Sequence, residues 1–417
     1  MRARNPLCQF LVLFLVLANG HAQETFQLRD GDRVVFYGDS ITEPRLYTAF
    51  VETYIVTRFP SLHISFRDSA WGGDRVTGGR GGPIDVRLQR DVIAHKPTVF
   101  AVMLGINDGY GLPYDVDLFK TFTSGYEHIL DVLRHALPDT RVTVMQPSPY
   151  DDFTRPGAFP GGYNAVLVRY GAFLREFGQR NGLVVADLNS LLAAVLKEAT
   201  TIDPTLAQRI GGDRTHPGHA GHLILAQSLL KAWNAPPLVS LAEIDLSQRQ
   251  VVHQRNTSIS DLTIARNISW TQLDRALPFP VELRDPAVAL AVRCSDFMQA
   301  LDQELLRITG LPATQYRLRI DGETVAHLSR EQFATGINLA LFDTPMKSQA
   351  GRVHELTRKR NEVQFGRWRQ VEVALEDAPL SSKQAALDAL DQLEEALWHE
   401  QNAAAQPKAH HYELIPD

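Results

Sequence analysis

The chain has 417 residues, 44% hydrophobic and 22% charged, with a formal net charge of −6. That is the composition of an ordinary globular protein of about two or three domains. The mildly acidic balance excludes binding of nucleic acid or an anionic membrane through bulk charge. Only Cys8 and Cys294 are present, which excludes a disulfide framework.

Arg2 and Arg4 precede an apolar run from Leu7 to Ala18, and Gly20-His21-Ala22 offers a small-x-small cleavage pattern. This predicts a secretory signal peptide over residues 1–22 and export to the periplasm or the medium. The run is too short for the ~20 apolar residues of a membrane span, and no cysteine follows it to carry a lipid. Cleavage leaves 40 basic against 48 acidic residues, a formal charge of −8. Cys294 then stands alone and reads as a small buried apolar residue.

Residues 33–233 alternate strand and helix patterns, the signature of a parallel α/β sheet. Val34-Val35-Phe36 is the β-branched and aromatic run of an interior strand. Gly38 permits a sharp turn, which presents Ser40 at the carboxyl end of that strand, where open α/β sheets bind their ligands. A helix is expected over 46–58, a second strand over 64–68, then a glycine-rich segment over 72–82. A short helix over 86–94 ends before Pro97, and Val99 to Leu104 is an all-apolar strand running into Gly105-Ile106-Asn107-Asp108. A long amphipathic helix over 117–136, a strand over 142–146, a helix over 162–180, a strand over 183–187 and helices over 188–199 and 220–233 complete the unit. Ala235-Pro236-Pro237 marks its boundary.

Beyond residue 238 the pattern is mixed. Tyr316 to Ile320 alternates with period 2, Asp321-Gly322 is a two-residue hairpin signal, and Thr324 to Leu328 is the returning strand. Residues 338–342 read as a third strand, and 288–306, 346–367 and 381–401 as helical stretches. No internal repeat marks a solenoid or propeller. The expected division is an α/β domain over 23–236, an accessory α+β region over 237–403 and a disordered tail over 404–417.

Acyl transfer by a serine needs a hydroxyl, a base, an orienter and donors for a developing oxyanion. Gly212-Asp213-Arg214-Thr215-His216-Pro217 offers His216 as base, with Asp213 three residues earlier to accept from its imidazole. The same residues also suit the start of a helix, and a turn there can do both. Gly73, after the second strand, can turn its N–H toward the crevice, and Asn107, after the third, offers a side-chain amide. Each residue alone is an ordinary turn former. Their arrival at strand ends facing one crevice is what selects them.

In these blocks the sequence resembles the SGNH hydrolases, also called GDSL esterases. Gly38-Asp39-Ser40-Ile41 is similar to the family's first block, with Ile where Leu is frequent. Gly72-Gly73-Asp74, Gly105-Ile106-Asn107-Asp108 and Asp213-Arg214-Thr215-His216 resemble the others. The resemblance covers about residues 33–233. It implies a flavodoxin-like three-layer α/β/α fold, with about five parallel strands, and ester hydrolysis without a metal or other cofactor. It assigns Ser40 as nucleophile, His216 as base, Asp213 as orienter, and the Ser40 and Gly73 N–H groups with the Asn107 amide as the oxyanion hole. It implies nothing for residues 238–417.

Other readings are weaker. His216, His219 and His222 are spaced by three, but no cysteine or acidic cluster joins them as metal ligands. The 72–82 segment lacks the Gly-Lys-Ser/Thr ending of a phosphate loop. Asp39, Asp74, Arg75, Arg80 and Tyr150 are candidate substrate contacts, with Arg87 as a further crevice arginine. Arginine suits an anionic or polyhydroxyl substrate. Asn256 and Asn267 begin glycosylation acceptors, which a bacterial source would leave unused. An exported esterase with no large apolar segment fits O-deacetylation of a carbohydrate. A lysophospholipase or short-chain carboxylesterase is the alternative enzyme, and a catalytically silent glycan-binding protein the alternative of another class. The expected partner is thus an acylated carbohydrate, with neither nucleic acid nor a membrane.

Overall fold

The computed structural model describes residues 25–378 and 380–417, so the signal peptide expected over 1–22 lies outside the described residues. Five strands form a wholly parallel sheet: β1 (Arg33–Gly38), β2 (Ser65–Asp68), β3 (Val99–Met103), β4 (Arg141–Met145) and β5 (Val184–Ala186), in the order β2-β1-β3-β4-β5. Central strands of such a sheet are covered on both faces, which is why β1 and β3 are continuous apolar runs rather than alternating ones. Val34, Val35, Phe36, Val99, Phe100 and Val102 are all buried. Helices α1 (Leu46–Arg58), α2 (Ile84–Asp91), α3 (Val116–Ala136), α4 (Gly162–Asn181), α5 (Ser190–Ile202), α6 (Pro204–Gly211) and α7 (His219–Ala232) make the outer layers. In α3, the Asp115 side chain caps the first turn by accepting from the Asp117 and Leu118 amides. Phe122, Tyr126, Ile129, Leu130 and Leu133 then form its buried stripe. The strand order reverses between β1 and β3, so a crevice opens at their carboxyl ends.

The second half is mixed α+β, as expected, but differently divided. Strand β6 (Leu238–Asp245) pairs parallel with β10 (Gln303–Thr309), flanked by β7 (Gln250–Arg255) and the short β13 (Ile337–Asn338). The region expected as one helix over 288–306 is two short helices, α8 (Pro286–Arg293) and α9 (Phe297–Leu301), followed by β10. The strand expected over 338–342 stops at Asn338 and gives way to a 3-10 turn, Leu339–Leu341.

A second sheet is antiparallel: β8 (Thr257–Ile264), β9 (Ile268–Asp274), β14 (Ala409–Pro416), β11 (Gln315–Ile320) and β12 (Glu323–Ser329), in that order. The hairpin at Asp321-Gly322 is present, both residues having positive φ, 52° and 85°, as a type I′ turn demands. The expectation of a disordered tail is wrong. Residues 409–416 form the middle strand of the sheet, paired on both sides. Tyr412 and Leu414 point into the second core, and Tyr412 stacks on Trp270 at 5.1 Å.

Beyond the short helix α10 (Arg330–Thr335), two long helices, α11 (Pro345–Phe365) and α12 (Ser381–Ala405), lie against α1. A buried ion pair from Arg360 Nη1 to Glu52 Oε1 (2.6 Å), joined by Gln401, ties the three helices together. Phe279, Val288, Leu290, Phe297 and Leu301 join the core of the parallel sheet. The halves are therefore interlocked, although the second region's sheets begin at Leu238. Among the described residues, no helix is long and apolar enough to cross a membrane.

Candidate active site

Strand β1 ends at Gly38, and the chain at once folds into a tight turn. The amides of Thr42 and Glu43 donate to the Asp39 carbonyl (3.1 and 2.9 Å), and the Ile41 amide to Asp39 Oδ1 (2.9 Å). This turn stands Ser40 at the crevice mouth. His216 Nε2 lies 2.8 Å from Ser40 Oγ, and His216 Nδ1 lies 2.8 Å from Asp213 Oδ2. With Ser40 Oγ–H donating to Nε2 and Nδ1–H donating to the carboxylate, one imidazole tautomer satisfies both bonds.

The dyad loop is held by its own backbone. Asp213 Oδ1 accepts from the amides of Thr215 (3.0 Å) and His216 (2.8 Å), leaving Oδ2 for the imidazole. A Cβ on Gly212 would sit 2.0 Å from the His216 carbonyl, so the loop closes only because that residue is glycine. Arg214 has φ 92°, a strained conformation for a non-glycine residue. It is held by Nη2 donating to the Pro156 carbonyl (2.7 Å) and by its own carbonyl accepting from Asp151 N (2.9 Å). Burial pushes the Asp213 carboxyl up, but the hydrogen bonds and charge of His216 outweigh it and hold the group below its ordinary value.

Gly73 occupies the turn Trp71–Asp74, closed by Asp74 N donating to the Trp71 carbonyl (3.0 Å). Its φ is 84°, and the space where a Cβ would stand is open to 4 Å, so the backbone can be approached closely there. Trp71 N donates to the Gly38 carbonyl (3.0 Å), which ties this turn directly to the nucleophile strand. Asn107 Nδ2 donates one hydrogen to the Asp74 carbonyl (3.0 Å) and keeps a second. Asp108 Oδ1 accepts from Val76 N (3.0 Å), a further tie between the two loops. Ser40, Gly73, Asn107, Asp213 and His216 thus come from four separate segments to one crevice, a set able to deprotonate a hydroxyl and to stabilise an oxyanion.

Beside the dyad is a recess of about 350 Å³, lined by Gly73, Arg75, Asn107, Tyr110, Tyr150 and Thr215 among others. Arg75 stacks on Tyr110, 4.1 Å from the ring centre. Arg75 and Tyr150 are therefore at the site. The other expected substrate contacts are not. Asp39 is buried as the turn's internal cap, its carboxyl pushed up to about 7 by burial and by the charges of Asp108 and Asp74. Asp74 is buried against Arg87, whose Nη2 is 2.9 Å from Asp74 Oδ2 and whose Nη1 pairs with Asp91. Arg87 is accordingly an internal counter-ion, not a crevice arginine. Arg80 is exposed and absent from the recess lining.

His222 is buried and stacks on Tyr47, with burial and then the charges of His219 and His216 lowering its imidazole to about 3. His219 packs on Phe50. Among the described residues no group of three or more His, Cys, Asp or Glu is disposed to hold a metal. Three site neighbours were not anticipated: Glu43, Trp71 and Arg369. Glu43 follows the serine turn and was readable by proximity, whereas nothing in the local sequence marks Arg369.

Known proteins resemble this chain in sequence and fold. A model of the GDSL-like lipase/acylhydrolase family matches residues 36–224, the span from β1 into α7. An acetylxylan esterase of Geobacillus stearothermophilus is 25% identical over 220 residues, 49% of this chain and 95% of the relative. A solved structure of a gut microbial diltiazem-metabolizing enzyme, 27% identical, superposes with a TM-score of 0.78 over 94% of this chain and 98% of its own. The esterase match thus covers about half of this chain, while the last covers nearly all of it. The fold and the family match over residues 36–224 place the parallel-sheet half of this chain among the SGNH hydrolases, the GDSL-like lipases and acylhydrolases, enzymes that hydrolyse ester bonds.

Proposed function

We propose that the protein removes O-acetyl groups from a carbohydrate through an acyl-enzyme formed on Ser40. The reading rests on the 2.8 Å approach of His216 Nε2 to Ser40 Oγ, with Asp213 2.8 Å behind it. Ser40 Oγ attacks the ester carbonyl as His216 takes its proton. The carbonyl oxygen, now an anion, accepts from the N–H groups of Ser40 and Gly73 and from the Asn107 amide. His216 returns the proton to the departing alcohol oxygen as the ester C–O bond breaks. A water molecule, deprotonated by His216, then attacks the acyl-enzyme, releasing acetate and restoring Ser40. Asp213 keeps the imidazole oriented and balances its charge in both half-reactions.

Support for a carbohydrate comes from the similarity to an acetylxylan esterase and from the mixed lining of the recess, where Tyr110 and Tyr150 offer aromatic surface beside Arg75. A signal peptide over residues 1–22 and export fit an extracellular polymer as substrate. A second reading, a small-molecule carboxylesterase, is favoured by the similarity of both halves to a diltiazem-metabolizing enzyme. Acetate release from acetylated xylan and from 4-nitrophenyl acetate separates the two. Release from the polymer at a kcat/KM well above that on the small ester supports deacetylation. Activity on the small ester alone supports the second reading. Ser40→Ala should abolish both, and full activity in that variant would falsify the mechanism. Labelling by a serine-directed phosphonate distinguishes either enzyme from a silent glycan-binding protein.

A further inference from the structure

Helix α11 does not end in a cap. It widens at Gly366–Val373 into two turns of π-helix, a rare geometry that recurs at functional sites. This segment, over 290 residues from Gly73 in sequence, lies against the loops that carry the nucleophile and the oxyanion donor. Trp368 Nε1 donates to Asp91 Oδ1 (2.8 Å), and its ring meets Trp71 edge-on at 5.9 Å. The Arg369 guanidinium lies over the Trp71 ring, 3.0 Å from its centre, while Nη2 is 3.2 Å from Glu43 Oε1. One turn earlier, Arg45 pairs with Glu362 (2.8 Å) and stacks on Phe365 at 4.2 Å.

The residues gripped are immediate neighbours of the chemistry. Glu43 is three residues beyond Ser40, and its amide donates to the Asp39 carbonyl in the serine turn (2.9 Å). Trp71 opens the turn that holds Gly73 and bonds to Gly38. A Cβ placed on Gly72 would lie 2.7 Å from Glu43 Oε2 and 3.7 Å from Ser40 Cβ, so the carboxylate and the serine flank one point. Arg369 and Glu43 are 19% and 30% exposed. The pair is partly exposed, and solvent screening discounts its contribution to global stability. Its consequence is geometric: one planar guanidinium spans Trp71 and Glu43, and thereby fixes the separation of the two loops.

We propose that Arg369 is a positioning residue of the esterase centre, supplied by the C-terminal region, that holds Glu43 and Trp71 and so sets the Gly73 donor against Ser40. It rests on the assignment of Ser40 as nucleophile and Gly73 as oxyanion donor. Small misplacements of such groups cost rate rather than binding. The acetylxylan esterase relative matches only 49% of this chain.

The test uses the full chain and 4-nitrophenyl acetate. Arg369→Ala should lower kcat by about 10- to 100-fold with KM changed less than about twofold. Phosphonate labelling should slow in step while the titratable serine count stays at one per chain. Arg369→Lys, which can keep the ion pair but not the planar stack, should recover part of the loss. Glu43→Gln should also lower kcat, and the double variant should be no worse than the poorer single, because Arg369→Ala already removes the contact that Glu43→Gln breaks. An Arg369→Ala protein that melts lower but keeps wild-type kcat per labelled serine overturns the proposal, as does a double variant whose losses multiply. A wild-type protein that the phosphonate does not label refutes the nucleophile assignment instead, a separate outcome.

Discussion

The two halves of the molecule bury their strands in different ways, and the difference decides where chemistry can sit. The parallel half repeats a strand, a turn and a helix, so each strand delivers one loop to the same edge of the sheet. Ser40, Gly73 and Asn107 follow β1, β2 and β3 in that manner, and on one face of β1 Phe36 packs against Tyr47 of α1 and Trp233 at the end of α7. The C-terminal half is closed by pairing between distant segments. Its middle strand, β14, is the end of the chain, inserted between β9 and β11. Such a half has no common edge where loops collect. What it offers is a rigid body, and two long helices use that body to press against α1 and the serine turn. Placement is local in one half and borrowed from the other.

The sharpest way to break this contrast is to stop the chain after Gln406. That removes β14, withdraws Tyr412 and Leu414 from the second core and exposes unpaired edges on β9 and β11. We expect loss of the cooperative thermal transition of the second region, seen by near-ultraviolet circular dichroism and by aggregation. A truncated chain that melts like the full one would show that the final strand is dispensable. Asn107→Ala should do the reverse: the fold survives and kcat falls about 10²–10³-fold, the usual consequence of losing one oxyanion donor. Steady-state kinetics beside a melting curve separates the two outcomes.

The same contrast explains what the sequence disclosed. A parallel strand announces itself as a continuous apolar run, and its functional residue stands just beyond, so Val34–Phe36 and Val99–Leu104 pointed to Ser40 and Asn107. His216 was legible because a loop that orients a histidine needs a carboxylate within a few residues, and Asp213 is there. Side-chain direction was not legible. Asp39, Asp74 and Arg87 are as polar as Arg75, yet two separate turns and helix α2 point them inward, where Arg87 neutralises Asp74 and Asp91. The tail was misread because His410-His411-Tyr412-Glu413-Leu414 is short, polar at alternate positions and terminal. Only its partners, Trp270 among them, make it a strand. Arg369 carries no local signal at all, since its role is set by Trp71 and Glu43, about 300 residues away.

Asp39 sharpens the comparison on the side of the parallel half, whose buried acids stand directly beneath the site. Its carboxyl is raised to about 7 by burial, and then by Asp108 and Asp74, against the opposing Ile41 amide. The folded protein therefore keeps a proton that the unfolded chain releases near the ordinary carboxylate value of about 3.9. The stabilising contribution is complete below that value and is lost as pH rises toward 7. Asp39→Asn keeps an acceptor for Ile41 and cannot ionise. Its melting temperature relative to wild type should climb from pH 4 to pH 7 and then level, with a limit of about 4 kcal/mol at roughly 1.4 kcal/mol per pKa unit. A difference independent of pH would mean that Asp39 is already ionised at the acid end.

The smallest effect expected separates two arginines of one glycine-rich loop. Arg75 is turned toward the recess and stacked on Tyr110, beside Gly73 and Asn107. Arg80 stands exposed at the tip of the short hairpin formed by Gly78–Gly79 and Gly82–Pro83. If the recess receives the sugar, Arg75→Ala loses one cation–π-braced contact and should raise KM on acetylated xylo-oligosaccharides by roughly two- to fivefold, the equivalent of about 0.5–1 kcal/mol. Its kcat should be preserved, because neither Ser40 nor the dyad touches this side chain. Arg80→Ala should leave both parameters unchanged. Equal effects from the two variants would mean that the loop acts through its charge rather than through contact, and the recess would lose its claim to the substrate.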